Sequence, residues 1–370
     1  MYSEDKRAAK KMIRLENISK DLGEFFLRDV TLEINEGEYF VILGPTGAGK
    51  TILLETIAGI YRPDSGRILL RDSDVTDIPP RERNIGMVYQ DYILFPFLTV
   101  EENIGFGLRS RKIEKSEIKR KVDELANLLD ISHLSHRYPV TLSGGEQQKV
   151  AIARAIAIEP PILLLDEPLS ALDSRTRDYL RGELKRVKEE FGITMVHVTH
   201  DQTEALVLAD RIAVMMQGRI MQVGTPYEIF NKPLNKELAD FVGVENILSG
   251  VVRTNEDGVA EIEIEADVGR NIFAVSEYHT GDVVKVFLRP EEIILSGHKG
   301  DSTARNVIKG KINELHDVGP LTRVQMDTGR SERSELVALI TKRSRENLGL
   351  QIGNEVYATF KATSVHVVRG

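Results

Sequence analysis

The chain has 370 residues, long enough for two or three domains, and its 41% hydrophobic and 29% charged content is ordinary for a globular protein. A formal net charge of −8 gives no overall basic attraction for nucleic acid or anionic lipid, and the absence of cysteine excludes disulfides, thiolate metal sites and cysteine nucleophiles. No apolar run is long enough to span a bilayer, and residues 1–11 are charged without the apolar core of a secretion signal, so they read as a flexible extension of a cytoplasmic chain whose membrane role needs a separate partner.

Residues 12–240 alternate strand-like and helix-like segments, the pattern of a layered α/β domain. Glu38-Tyr39-Phe40-Val41-Ile42-Leu43 reads as a buried strand, and Ile52-Leu53-Leu54-Glu55-Thr56-Ile57-Ala58 as a helix start. Between them lies Gly44-Pro45-Thr46-Gly47-Ala48-Gly49-Lys50-Thr51, the pattern Gly-x-x-x-x-Gly-Lys-Thr. Glycines there let the backbone close round a phosphate chain, and the helix start turns its N–H groups on the anion. The pattern assigns Lys50 to the β- and γ-phosphates of a bound phosphate chain and the Thr51 hydroxyl to Mg²⁺.

A more helical region follows, with Ile113, Ile118, Val122, Leu125 and Leu129 on one stripe. In Leu142-Ser143-Gly144-Gly145-Glu146, Ser143 reads as an N-cap and Glu146 completes a capping box. The two glycines add a second place where a phosphate can approach a helix start, and a two-fold dimer gives each such start a complementary partner. Ile162-Leu163-Leu164-Leu165 is a strand buried on both faces, and Asp166 and Glu167 follow it directly. At the carboxyl end of a parallel strand, Asp166 is placed to hold Mg²⁺ and Glu167 to polarise the attacking water. Taken alone the pair reads equally as helix-capping acids; the phosphate loop favours the catalytic reading. Tyr179, Leu180, Leu184 and Val187 form another stripe with Gly192 as its stop, and Thr194-Met195-Val196-His197-Val198-Thr199 is a further buried strand.

Beyond residue 240 the composition shifts to short β-like segments. After a linker at 241–246 the chain looks duplicated, with one small barrel-like, OB-like unit at 247–297 and another at 298–370. Their endings, from Gly281 to Ile293 and from Gly353 to Val365, align without a gap.

Through these motifs, about the first 230 residues resemble an ATP-binding-cassette ATPase, the motor subunit of a transporter: a P-loop cassette with a helical subdomain. The resemblance implies that Gly44 to Thr51 is the ATP-phosphate loop, and that Gln90 in Val88-Tyr89-Gln90-Asp91 contacts Mg²⁺ or water and faces the membrane partner. It implies that Ser143, Gly144 and Gly145 act across a homodimer, with Asp173 in the loop that crosses it. Asp166 becomes the Mg²⁺-side acid, Glu167 the catalytic carboxylate, and His200 the switch residue on the γ-phosphate. Alone, Gln90 is an ordinary loop amide, and a lone histidine after a strand is more often structural. Two departures stand out: Lys149 replaces a common arginine, and Leu22 stands where the family usually places an aromatic against adenine. Phe25 and Phe26 are nearby substitutes, though both are expected to pack into the core.

Thr303-Ala304-Arg305-Asn306, Ile340-Thr341-Lys342-Arg343-Ser344 and Lys361-Ala362-Thr363-Ser364-Val365 resemble small molybdate/tungstate-binding barrels. Cassettes with such tails resemble oxyanion importers, which implies permease subunits, an external oxyanion-binding protein and a place at the cytoplasmic face of the membrane. Thr303, Arg305, Lys361, Ala362, Thr363 and Ser364 are the implied anion contacts, since a tetrahedral dianion wants cationic side chains, hydroxyls and backbone N–H groups. Taken by composition, they read as solvated residues at strand edges. The matching segment of the first unit, Leu288-Arg289-Pro290-Glu291-Glu292, is acidic, which argues against an equal site there. The tail would sense accumulated oxyanion and restrain the ATPase. Competing readings are a sulfate or sugar importer, a soluble cassette ATPase without the expected coiled-coil insertion, and an oxyanion store.

Overall fold

The computed structural model describes residues 10–264, 271–300, 302–329 and 335–370, and its contacts divide it into a unit ending at Ile229 and a unit running from Phe230 to Gly370. The first unit contains β1 (Lys11–Asp21), β2 (Phe26–Asn35), β3 (Tyr39–Leu43), β4 (Ser65–Leu70), β5 (Ser73–Asp74), β6 (Ile85–Val88), β7 (Ile162–Asp166), β8 (Thr194–Thr199), β9 (Arg211–Met216) and β10 (Arg219–Gly224). Its helices are α1 (Lys50–Ala58), α2 (Val100–Ser110), α3 (Lys115–Leu128), α4 (Gly144–Ile156), α5 (Ser174–Phe191) and α6 (Gln202–Leu208). Lys11 opens β1, because its neighbours Met12 and Ile13 are core residues, and Lys10 is exposed just before it; residues 1–9 of the expected extension lie outside the described residues.

Two sheets make this unit: an antiparallel one ordered β2-β1-β4-β5 and a larger one ordered β10-β9-β3-β8-β7-β6. In the larger sheet β9, β3, β8, β7 and β6 run parallel, and β3, β7 and β8 are buried along their whole length. That explains their unbroken apolar runs. Ile52, Leu53, Leu54 and Ile57 of α1 share one core with Ile13 and Leu15 of β1 and Phe40 and Ile42 of β3. Each such side chain contributes about 1.5–3 kcal/mol when fully buried. Arg83 secures the far end of α1 by donating to the carbonyls of Thr56 and Ile57 at 3.0 and 2.8 Å. The parallel registers Leu43↔Thr199, Asp166↔Val198 and Val88↔Leu165 bring four strand ends onto one line. That line delivers the phosphate loop, Glu167, His200 and Gln90 to the same edge.

The anticipated helical stripes form with small shifts. Val122, Leu125 and Leu129 are buried, whereas Ile113 precedes α3. Leu180, Leu184 and Val187 are buried and Gly192 ends α5 in the left-handed conformation, while Tyr179 lies outside, 46% exposed with Lys149 over its ring.

The division falls within α7 (Pro226–Asn231); the second unit goes on with α8 (Lys236–Phe241), β11 (Asn246–Glu256), β12 (Val259–Ile264), β13 (Asn271–Val275), β14 (Val283–Leu288) and β15 (Ile294–Ser296). It continues with β16 (Asn306–Val318), β17 (Leu321–Asp327), β18 (Glu335–Thr341), α9 (Lys342–Leu348), β19 (Glu355–Phe360) and β20 (His366–Arg369). Residues 230–240 fall with these strands rather than with the cassette, since Arg289 donates to the Phe230 carbonyl and His366 meets the Pro233 carbonyl. The sheet orders are β13-β12-β11-β14-β20 and β15-β19-β16-β17-β18. Strand for strand they are the same sheet twice, with the last strands exchanged: β15 pairs β19 and β20 pairs β14. One hydrophobic core therefore serves both repeats.

Equivalent asparagines clasp the repeats. Buried Asn246, opening β11, accepts from Val337 N–H at 2.7 Å and donates to the Val337 and Leu288 carbonyls. Buried Asn306, opening β16, exchanges the same pair of bonds with Phe273 at 2.8 and 2.9 Å. Asn246→Ala leaves a buried N–H and two carbonyls short of a partner, at a cost of about 1–3 kcal/mol. The full-length variant should unfold at a lower urea concentration; an unmoved midpoint would show that the clasp contributes nothing to stability.

Candidate nucleotide and anion sites

The phosphate loop is shaped by contacts no side chain would tolerate. A Cβ on Gly44 would stand 2.1 Å from the Met215 carbonyl oxygen, and Gly49 caps α1 with φ 96°. Lys50, 5% exposed, curls back so that Nζ donates to the Gly44 and Pro45 carbonyls at 2.9 and 3.0 Å and lies 3.8 Å from Glu167 Oε1. Burial lowers the Lys50 pKa, and the charges of Glu167 and Asp166 oppose that shift. Thr51 Oγ1 donates to Asp166 Oδ1 at 3.0 Å. Burial raises the Asp166 pKa, with the Thr51 hydrogen bond acting the other way.

Glu167 has φ 43°, a left-handed backbone that costs on the order of 1–3 kcal/mol in a residue with a side chain. Its N–H donates to the Val198 carbonyl at 3.0 Å and its carbonyl accepts the Ser170 hydroxyl at 2.9 Å, so both sides of the kink are held. The kink brings Glu167 Oε2 to 3.0 Å from His200 Nδ1. Lys50, Thr51, Asp166, Glu167 and His200 thus form one connected set. Gln90 follows β6 at the same sheet edge, with an exposed side chain.

Ser143, Gly144, Gly145 and Asp173 form a second group. Ser143 and Glu146 complete the capping box on α4, and those Ser143 bonds lower the Glu146 pKa. Asp173 caps α5 through the Arg175 and Thr176 N–H groups. Gly145 has a packing reason of its own: a Cβ there would meet Thr176 Cγ2 at 2.7 Å. Gly144 has only ordinary contacts, at 3.5 Å and beyond.

Leu22 and Phe25 are 40% and 45% exposed on the β1–β2 turn. Phe25 therefore does not pack in the core as expected; the turn turns it outward. Phe26 is half-buried with the Arg28 guanidinium 4.0 Å from its ring. The following strand abuts the phosphate loop, because the Phe26 carbonyl lies 3.2 Å from where a Gly49 Cβ would be.

Thr51 and Asp166 supply hard oxygen donors beside the phosphate loop, a set that suits Mg²⁺, which takes few protein ligands and keeps waters and substrate phosphates. Among the described residues no cluster of three or more His, Cys, Asp or Glu is arranged as an all-protein cage.

In the second unit, Arg305 lies 6.0 Å from the Phe273 ring, and its neighbour Asn306 bonds the Phe273 backbone. The turn Ala362–Ser364 packs on the same strand, β13. Thr303, Arg305, Lys361 and Thr363 are exposed and Ala362 half-buried. Ser364 donates its hydroxyl to Glu292 Oε2 at 2.5 Å, so an acid of the first repeat already engages one expected anion contact. Sequence reasoning set Glu292 aside and did not foresee that bond. It also passed over Tyr39, His197 and Glu204, a buried polar set behind the candidate edge; the signal was a histidine inside an otherwise apolar strand.

The ABC transporter profile matches residues 27–170 and the TOBE domain profile matches residues 302–367. The chain is 47% identical over 356 residues to the "Molybdate/tungstate import ATP-binding protein WtpC" of Pyrococcus horikoshii, covering 96% of this chain and 99% of that one. It is 40% identical over 360 residues to the "Sulfate/thiosulfate import ATP-binding protein CysA" of Bacillus cereus, covering 96% and 98%. Among solved structures it is similar to a dimeric ATP-binding cassette in a post-hydrolysis state bound to ADP and Pi, with TM-score 0.53, 34% identity, and coverage of 58% of this chain and 99% of that one. Among the described residues no helix is long and apolar enough to cross a membrane. The phosphate loop, the paired acids at the end of β7, and the duplicated β-domain agree with these likenesses, and the chain belongs to the ABC transporter family as an ATP-binding, ATP-hydrolysing import subunit.

Proposed function

We propose that this chain powers the import of molybdate or tungstate, working as a homodimer at the cytoplasmic face of the membrane beneath integral-membrane permease subunits. One observation carries the ATPase mechanism: Lys50, Thr51, Asp166, Glu167 and His200 converge within hydrogen-bond or ion-pair reach where β3, β7 and β8 end. The backbone N–H groups of Gly44 to Thr51, with Pro45, Thr46, Gly47 and Ala48 forming the curve, cradle the ATP phosphates, and Lys50 adds charge at the β- and γ-positions. Glu167 orients a water and takes up its proton as the water attacks the γ-phosphate, while His200 fixes the Glu167 carboxylate and contacts the γ-phosphate. Thr51, Asp166 and Gln90 would hold Mg²⁺, which when bound neutralises charge on the β- and γ-oxygens. Ser143, Gly144, Gly145 and Asp173 of a second copy close over the same ATP. Exposed Gln90 reports the closed state to the permease.

The cargo reading rests on the relative's name over 96% of the chain and on the TOBE match. The proposed oxyanion contacts are Thr303, Arg305, Lys361, Ala362, Thr363 and Ser364. Sulfate is the second reading, favoured by the 40% identical relative and by its tetrahedral dianionic shape. An external binding protein would deliver the anion, and its accumulation in the cytoplasm would slow the ATPase through these contacts.

Glu167→Gln keeps the side-chain shape but loses the base. Phosphate release should fall about 10²–10⁴-fold while ATP binding and ATP-dependent dimerisation survive; normal turnover would remove Glu167 from the chemistry. Asp166→Asn should stop turnover yet stabilise the nucleotide-free chain. The Asp166 pKa is higher folded than unfolded, so its charged form opposes folding, and that opposition grows as pH rises through the folded pKa. Melting curves in nucleotide-free buffer at neutral pH check the sign: Asp166→Asn should melt higher than wild type. Calorimetry on the full chain should detect molybdate and tungstate, and Arg305→Ala combined with Lys361→Ala should abolish the signal. Binding of sulfate alone would move the assignment to the second reading.

A further inference from the structure

Behind the catalytic edge lies a chain of buried polar groups that the mechanism above does not use. Tyr39 on β3, His197 on β8 and Glu204 on α6 are 1%, 0% and 2% exposed. Tyr39 OH lies 2.9 Å from His197 Nδ1, and His197 Nε2 lies 3.3 Å from Glu204 Oε2. The same Glu204 oxygen accepts the Thr199 hydroxyl at 2.7 Å, and Thr199 Oγ1 in turn accepts the Asp201 N–H at 3.0 Å. His200 sits between those last two residues. Thus one hydroxyl, held by Glu204, fixes the backbone on both sides of the histidine whose Nδ1 meets Glu167.

The charged groups round Glu204 are few and specific. Arg181 of α5 lies 3.9 Å away and also reaches Asp201 at 3.3 Å, with Arg177 at 3.4 Å from the same Asp201 oxygen. Asp201 caps α6 through the Thr203 and Glu204 N–H groups. Burial alone raises the Glu204 pKa, but His197 and Thr199 outweigh it and leave it lowered, so the buried carboxylate is charged. A buried set of charged and polar partners like this is costly to build, and replacing such a set as a whole by apolar groups is often neutral or stabilising. A stability role is therefore a weak explanation for it; its geometry serves the turn that carries His200.

We infer that Glu204 is a positioning residue for ATP hydrolysis: through Thr199 it sets the backbone of His200 and hence the approach of His200 to Glu167 and the γ-phosphate. Glu204 is buried, and its route to His200 runs through the Thr199 hydroxyl. The inference rests on His200 acting in turnover, and the experiment separates the two.

Single-turnover ATP hydrolysis, with enzyme in excess, is measured for wild type, Glu204→Gln, Thr199→Val, His200→Ala and the pairwise combinations with His200→Ala. Glu204→Gln should lower the rate about tenfold or more, the loss of one charged hydrogen bond, with the Kd for ATP unchanged. In the His200→Ala background it should cause no further loss, because its effect runs through the missing ring. Additive losses, an unchanged rate, or a loss confined to ATP affinity would overturn the inference. Full turnover by His200→Ala itself would instead remove the catalytic role of His200. Thr199→Val deletes the hydroxyl and leaves the His197–Glu204 pair in place, so it repeats the cycle if Glu204→Gln folds poorly.

Discussion

A site for a triphosphate must gather opposite charges in a place from which water is largely excluded, and the rest of this cassette follows from holding Lys50 beside Asp166 and Glu167. Each charge is costly there: burial pushes the Lys50 pKa down and the Asp166 pKa up. The fold offsets that cost by core burial at the other end of the same elements. α1 begins at the phosphate loop but its Leu53, Leu54 and Ile57 are fully buried, and Arg83 caps its far end. The left-handed backbone of Glu167 is a local strain of the same kind, tolerated because β3, β7 and β8 are buried along their length.

The parts legible in the sequence were those with a local cause. Continuous apolar runs marked β3, β7 and β8; the Gly-x-x-x-x-Gly-Lys-Thr spacing marked the loop; Ser143 with Glu146 marked a helix start and Gly192 a helix end. What stayed hidden depended on partners far along the chain. Alternation says that β15 and β20 each have an inward face, but not that they trade sheets. An aromatic such as Phe25 reads as core until the turn aims it outward. Gly145 read as a phosphate contact, yet its nearest constraint is Thr176, thirty-one positions on. The connection of Glu204 to His197 and Tyr39 joins three elements, so no window of sequence contains it.

Duplication separates what the β-rich unit needs for folding from what it has free for binding. Asn246 and Asn306 make the same clasp in both repeats, and the strands correspond one to one. The turns after β14 and β19 have diverged. In the first, Arg289 is committed to Glu291 and the Phe230 carbonyl, and Glu292 to Ser364. In the second, among the described residues, neither Lys361 nor the nearby strand-start residue Arg305 has an ion-pair partner. Positive charge without an ion-pair partner on one repeat and neutralised on the other is the asymmetry that the proposed single anion site per chain would call for.

The two candidate groups in the cassette are linked by one helix, α5. α5 starts at Asp173, packs Thr176 against Gly145, and sends Arg177 and Arg181 to Asp201, next to His200. A helix of 18 residues with a buried apolar face moves as a body rather than bending residue by residue. In the proposed dimer, a displacement of Asp173 or Gly145 by the second copy would therefore be felt at the turn that carries His200, and through it at Glu167. Under the proposed mechanism, hydrolysis would then depend on the surface that a partner cassette covers, even though the proposed base, Glu167, belongs to one chain.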